Sequence, residues 1–124
     1  MVFRKAEDVV SSDKSLAGIA LISAHQGDHD KAFAFHAQAL GLNPENMVAL
    51  FGLVQAAHML GRTAEAIAPL TEYLNLNPDK HEVRFALSGC LIASGRQADA
   101  RRHLETILEQ DPANVQSAEL LSQL

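Results

Sequence analysis

Few residues in this chain could carry chemistry. Its 124 residues include six histidines and one cysteine. His25 and His29 lie beside Asp28 and Asp30, a mix of nitrogen and oxygen donors that divalent metals favour. They straddle Gly27, however, and their spacing matches no established ligand pattern, so the acidic pair is better explained as helix caps and solvated charge. No metal is expected. Cys90 shares a helical face with Leu87 and Leu91 and has no lysine, arginine or histidine next to it to favour a thiolate. It is expected to be a buried structural thiol, and a single cysteine can form neither an internal disulfide nor a CxxC pair. The cluster Arg101-Arg102-His103 suggests a solvated helix face first, a docking patch for an acidic partner second and a nucleic-acid contact last. GxSxG, GxGxxG and P-loop motifs are missing, and His81-Glu82 continues as Val83-Arg84-Phe85 instead of completing HExxH. The chain is therefore not expected to be an enzyme, and no cofactor is implied.

Composition narrows the setting. Ten basic against fifteen acidic residues give a net charge of -5, which argues against a phosphate-binding surface and hence against nucleic acid as partner. With 48% hydrophobic and 20% charged residues the chain can bury a core, and its length is that of one domain. Aromatics are only 5%, while alanine and leucine abound, which favours helices. No run of 18 apolar residues exists to span a membrane, and the start Met1 to Asp8 turns acidic where a signal peptide would be apolar. A cytoplasmic location is the expectation, although a piece cut from a longer protein would look the same.

What positions these residues is a repeat. Pro44, Pro78 and Pro112 recur every 34 residues, as do Gly27, Gly61 and Gly95, Ala32, Ala66 and Ala100, and Leu40, Leu74 and Leu108; Asn43, Asn77 and Asp111 precede the prolines. Inside each repeat the apolar spacing is helical: Leu50, Leu53, Val54 and Ala57 lie at i, i+3, i+4 and i+7. The glycine ends one helix, Asp28 or Thr63 caps the next, and the residue before proline stops it. The small residue at Ala32, Ala66 and Ala100 lets the two helices of a hairpin approach closely. Such a hairpin cannot bury its own apolar face, so hairpins must stack. The predicted layout is 1–12 as an N-terminal cap or the remnant of an upstream helix, repeats at 13–46, 47–80 and 81–114, and a capping helix at 115–124. Pro69 falls within a predicted helix and should kink it.

A 34-residue helix-turn-helix ending in proline resembles the tetratricopeptide repeat, with Gly27-Asp28-His29-Asp30-Lys31-Ala32 and Ala39-Leu40-Gly41-Leu42-Asn43-Pro44 following the family pattern over nearly the whole chain. The chain departs from it where an early aromatic is usual, having Leu16, Leu50 and Arg84, and, of Ala20, Val54 and Ser88 where a small residue is usual, at Val54. The resemblance implies an all-α, right-handed superhelical solenoid whose first helices line a concave peptide groove. Carried over residue by residue, the lining would be Lys14, Ala17, Gly18, Leu21, Ala24 and His25, then Val48, Phe51, Gly52, Gln55, His58 and Met59, then Glu82, Phe85, Ala86, Gly89, Ile92 and Ala93, with Gln116, Glu119 and Leu120 from the capping helix.

Family members that grip a chaperone-tail carboxylate place lysine, asparagine and arginine at positions matched here by Ala17, Leu21, Gly52, Glu82 and Ala86. None of these donates a side-chain hydrogen bond to a carboxylate, and Glu82 would repel one. The expected groove is instead apolar, with Phe51 and Phe85 as a shared ridge, bulk from Leu21, Met59 and Ile92, and clearance for a ligand at Gly18, Gly52, Ala86 and Gly89. Lys14, Gln55, His58 and Glu82 would orient an apolar peptide or amphipathic helix from a partner protein. Its two histidines, His25 and His58, would make binding sensitive to pH between about 5 and 8. Two alternatives keep the fold: a homo-oligomer built on the same apolar surface, or an accessory region of a longer enzyme.

Overall fold

In the computed structural model, which describes residues 12–124, the helical spacing becomes seven α-helices: α1 (Asp13–His25), α2 (His29–Leu42), α3 (Met47–Met59), α4 (Ile67–Leu76), α5 (His81–Ala93), α6 (Gln97–Gln110) and α7 (Val115–Ser122). A 3₁₀ turn, Thr63–Ala66, precedes α4, and the described residues include no strand. The N-terminal segment expected as a cap or remnant lies outside the described residues except for Ser12, whose hydroxyl accepts from the Ser15 N–H at 3.0 Å and caps α1. The chain divides into two compact units, one through Arg62 and the other from Thr63. In the first, α1, α2 and α3 pack on one another; in the second, α5 packs on α4 and α6, and α6 on α7.

The glycines at the helix ends have φ of 83°, 69° and 78° at Gly27, Gly61 and Gly95, a left-handed backbone that only a residue without Cβ adopts freely. Each closes the same pair of bonds. Gly27 N–H donates to Ala24 at 3.0 Å and Asp28 N–H to Ser23 at 2.9 Å; Arg62 N–H to Ala57 and Arg96 N–H to Leu91 repeat the longer loop at 2.7 and 2.8 Å. Asp28 then turns its carboxylate to the Lys31 N–H at 3.2 Å and starts α2. At the other end of the hairpins, Asn43, Asn77 and Asp111 take φ of −147°, −138° and −137°, as the following prolines require.

The middle repeat starts its second helix differently. Where α2 and α6 begin at His29 and Gln97, the matching Thr63 opens the 3₁₀ turn instead of capping a helix, and α-helical geometry starts only at Ile67, behind Ala66, which makes no side-chain cap bond. This late start puts Pro69 in the first turn of α4, where its missing N–H has no intrahelical acceptor to lose. The expected kink in mid-helix is thus replaced by a shortened helix.

Ala32, Ala66 and Ala100 are 0% exposed, as close helix approach demands. Leu50, Leu70, Leu87, Leu104 and Ile107 are fully buried, and each contributes on the order of 1.5–3 kcal/mol. Cys90 is buried as expected, and burial pushes its thiol pKa up. One core position breaks the pattern. His36, 1% exposed, stands where the next repeats put the buried Leu70 and Leu104. Its ring occupies the space over Gly52 of α3, where a Cβ would lie 2.1 Å from Nε2. Gly52 therefore offers a ligand no clearance, which corrects its placement among the open groove glycines. Gly18 and Gly89, by contrast, face open space.

Gly52→Ala drives a methyl into the buried imidazole and lowers stability by roughly 1–3 kcal/mol. Gly18→Ala and Gly89→Ala meet nothing and raise it by about 0.5–1 kcal/mol through helix propensity. Urea midpoints measured side by side check this ordering. Burial also lowers the His36 pKa from its ordinary 6.5. The unfolded imidazole takes up a proton that the buried one refuses, so this histidine costs nothing above about pH 6.5 and erodes stability as the pH falls below it. His36→Leu removes that share of the acid loss, read as a smaller fall in urea midpoint between about pH 7.5 and 5.5.

Candidate functional site

Asp13 opens α1, and its Oδ2 accepts two amides from the loop between α2 and α3: Asn46 Nδ2 at 2.9 Å and Asn43 Nδ2 at 3.1 Å. Each asparagine works twice. Asn46 Oδ1 accepts from the Ala49 N–H at 2.9 Å and caps α3, while Asn43 Oδ1 accepts from the Glu45 N–H at 3.1 Å. The two amides, Asn46 ahead of Asn43, hold the Asp13 carboxyl below its usual range, with Lys14 adding to the effect. The carboxylate thus ties the start of the first helix to the start of the third.

Beside this tie lies a cavity of about 400 Å³, within the range of small ligand pockets. Ala17 forms its floor and is 3% exposed, Gly18 keeps it open, and Leu21 and Val48 flank its mouth at 50% and 53% exposure. Asp13, Lys14, Asn43 and Asn46 form the polar side. The Asp13 Oδ2 is engaged by both amides, and the arrangement of Leu21, Val48, Ala17 and Gly18 beside these polar groups suits holding an apolar group with a polar neighbour.

Lys14, Ala17, Gly18 and Leu21 of the expected lining, together with Val48, are brought to this one cavity. His25 is exposed at the end of α1, while Ala24 is half-buried. On α3, Phe51 is half-buried and Gln55, His58 and Met59 are exposed. On α5, Glu82, Gly89 and Ala93 are exposed, and Phe85, Ala86 and Ile92 are half-buried; Gln116 and Glu119 of α7 are exposed and Leu120 half-buried. Asp13, Asn43 and Asn46 were not foreseen as site residues. The preference of asparagine for helix N-caps marks Asn46, but nothing in the spacing announces its bond to a carboxylate 33 positions earlier.

In the basic cluster Arg101 and Arg102 are exposed, as a solvated face requires, and His103 alone departs from it. Arg102 pairs with Asp99, Arg101 donates to the Leu124 carbonyl at 3.1 Å, and His103 is half-buried 3.0 Å from Arg84. Among the described residues no three histidine, cysteine or acidic side chains gather to hold a metal, and no helix is long and apolar enough to cross a membrane.

Residues 23–70 and 57–124 match the tetratricopeptide repeat, and the chain belongs to the tetratricopeptide repeat family. The photosystem I assembly protein Ycf3 of Acaryochloris marina (strain MBIC 11017) is 38% identical over 66 residues, which cover 53% of this chain and 40% of that protein. The chain thus spans well under half the length of that relative. Among solved structures, the first TPR of Spaghetti (RPAP3) bound to the HSP90 peptide SRMEEVD has a TM-score of 0.75 at 20% identity, covering 90% of this chain and 89% of that one. The crystal structure of MamA has a TM-score of 0.75 at 16% identity over 95% of this chain and 71% of that one. The fold is accordingly the all-α helical repeat of this family, whose members mediate protein–protein interaction and are generally non-catalytic scaffolds.

Asp13→Ala cuts the tie between α1 and the loop before α3. It lowers the urea midpoint at neutral pH, because the paired carboxylate stabilises the fold above its depressed pKa. The difference from the native chain disappears as acid protonates Asp13, so a pH series of midpoints separates loss of this tie from a general packing defect.

Proposed function

We propose that the chain is an interaction scaffold whose first unit takes an aliphatic side chain of a partner peptide or amphipathic helix into the cavity beside Asp13. The observation that carries this is the cavity itself: its mouth is flanked by Leu21 and Val48, each about half exposed, and Gly18 leaves its interior unfilled. Apolar surface of this kind is costly to leave in water unless something covers it. His25, Phe51, Gln55, His58 and Met59 of the first unit are the further contact residues of this reading, and Lys14, Gln55 and His58 supply its polar ones.

The partner is not a chaperone tail held by its terminal carboxylate. The Spaghetti domain is bound to an HSP90 peptide, SRMEEVD. At the positions matching the family's clamp this chain has Ala17, Leu21, Gly52, Glu82 and Ala86, and the space that a side chain at Gly52 would need is taken by the His36 ring. What supports an apolar ligand therefore also argues against an anionic one.

Selection of peptides from a random displayed library on the native chain is expected to enrich sequences that share an aliphatic residue or methionine. Gly18→Gln, which fills the cavity from a position with free space around it, and Leu21→Glu each weaken those peptides by about tenfold or more, equivalent to about 1.4 kcal/mol, with helix content unchanged. Undiminished binding by both variants removes the cavity from the interaction.

A further inference from the structure

Arg84 stands where the two earlier repeats have the buried leucines Leu16 and Leu50, so the second unit carries a guanidinium at an apolar position. Its Nη1 lies 3.0 Å from Nδ1 of His103 on α6, and its Nη2 donates at 3.0 Å to the carbonyl of Pro78 in the loop before α5. A guanidinium has only hydrogens to offer, so His103 Nδ1 must accept and the imidazole is the neutral tautomer with its proton on Nε2. One side chain thereby fastens α5 to α6 and holds the loop at residues 77–80. The N-cap of α5 differs from its counterparts, since Lys80 caps it without a side-chain hydrogen bond, where Asn46 and Asn114 cap α3 and α7 with one.

A proton on His103 Nδ1 would set donor against donor and place two cations in contact. The charges around His103 do not relieve this. From α5 comes Arg84, with His81 and Glu82 on the same first turn. From α6 itself come Arg102 and Asp99; α7 has one charged residue, Glu119, which is exposed. Asp99 favours the imidazolium but is already engaged by Arg96 at 2.9 Å and by Arg102. Burial first and Arg84 second hold the His103 pKa below 6.5 against the pull of Asp99.

We propose that the Arg84–His103 contact is an acid-released latch: protonation of His103 expels the guanidinium, which lets go of the Pro78 carbonyl and loosens the 77–80 loop and the first turn of α5. The latch lies wholly in the second unit and does not depend on what the first unit binds.

The test is NMR of the His103 imidazole and of the backbone amides from Asp79 to Phe85 between about pH 8 and 5, on the native chain, on His103→Gln and on Arg84→Leu. In the native chain His103 is expected to titrate below 6.5, the amides to follow the same curve, and their solvent exchange, corrected for intrinsic rates, to quicken by about tenfold or more at the acid end. His103→Gln keeps an acceptor but cannot take up a proton, so the part of the amide response that follows His103 is lost. Arg84→Leu restores the residue of the earlier repeats and moves the His103 curve upward. Amides that respond in His103→Gln as they do in the native chain overturn the latch, and so does a His103 curve that the native amides do not follow. If a variant fails to fold, the match between those two native curves still decides.

Discussion

No helix in the described chain exceeds 14 residues, a length at which an isolated helix is marginal in water. Each persists because a neighbour covers its apolar stripe, and that requirement organises everything else. Helices must come close, so alanine occupies the fully buried positions 32, 66 and 100. They must reverse within three residues, so glycine takes a left-handed backbone at 27, 61 and 95. They must stop together, so a residue in extended conformation and a proline close each hairpin. A chain that satisfies these demands once satisfies them again 34 residues later, and the faces left over are free to vary.

Variation within the core is met by compensation in pairs. His36 replaces a leucine and is accommodated by Gly52 on the next helix, at the cost of a buried imidazole nitrogen without a partner. Arg84 replaces another leucine and is answered by His103 and the Pro78 carbonyl. Pro69 is answered by a 3₁₀ start that moves it into the first turn. Each deviation keeps the hairpin intact while making one position depend on a specific partner, so the repeats are alike in backbone and unlike in chemistry. A recess that opens to solvent lies in the first unit, where Gly18 has no counterweight and its space stays empty.

The architecture was legible from five columns in phase, because backbone geometry dictates residue type at a turn, a close crossing or a stop. Five residues singled out from the sequence, Lys14, Ala17, Gly18, Leu21 and Val48, meet at one cavity. What stayed hidden depends on pairs distant in sequence. Gly52 looks identical to Gly18 in type and phase, and only the histidine at position 36 distinguishes a filled space from an open one. Asp13, Asn43 and Asn46 were missed for the same reason, since Asp13 finds its asparagines through the packing of α1 on α3 and not through any local spacing. His103 was placed on a solvated face because the cluster Arg101-Arg102-His103 was judged by its own helix, whereas its neighbour Arg84 comes from another.

The central claim is that the recess beside Asp13 is a receptor for apolar groups and not a packing defect. It is tested most directly by a methyl ¹³C NMR titration of the native chain with a small apolar probe such as isopropanol. The account predicts that the methyls of Ala17, Leu21 and Val48 shift together along one saturating curve, while those of Leu76 and Val115, exposed but outside the cavity, drift linearly. Linear drift at all five positions, or saturation at Leu76 and Val115 as strong as at Leu21 and Val48, would contradict it.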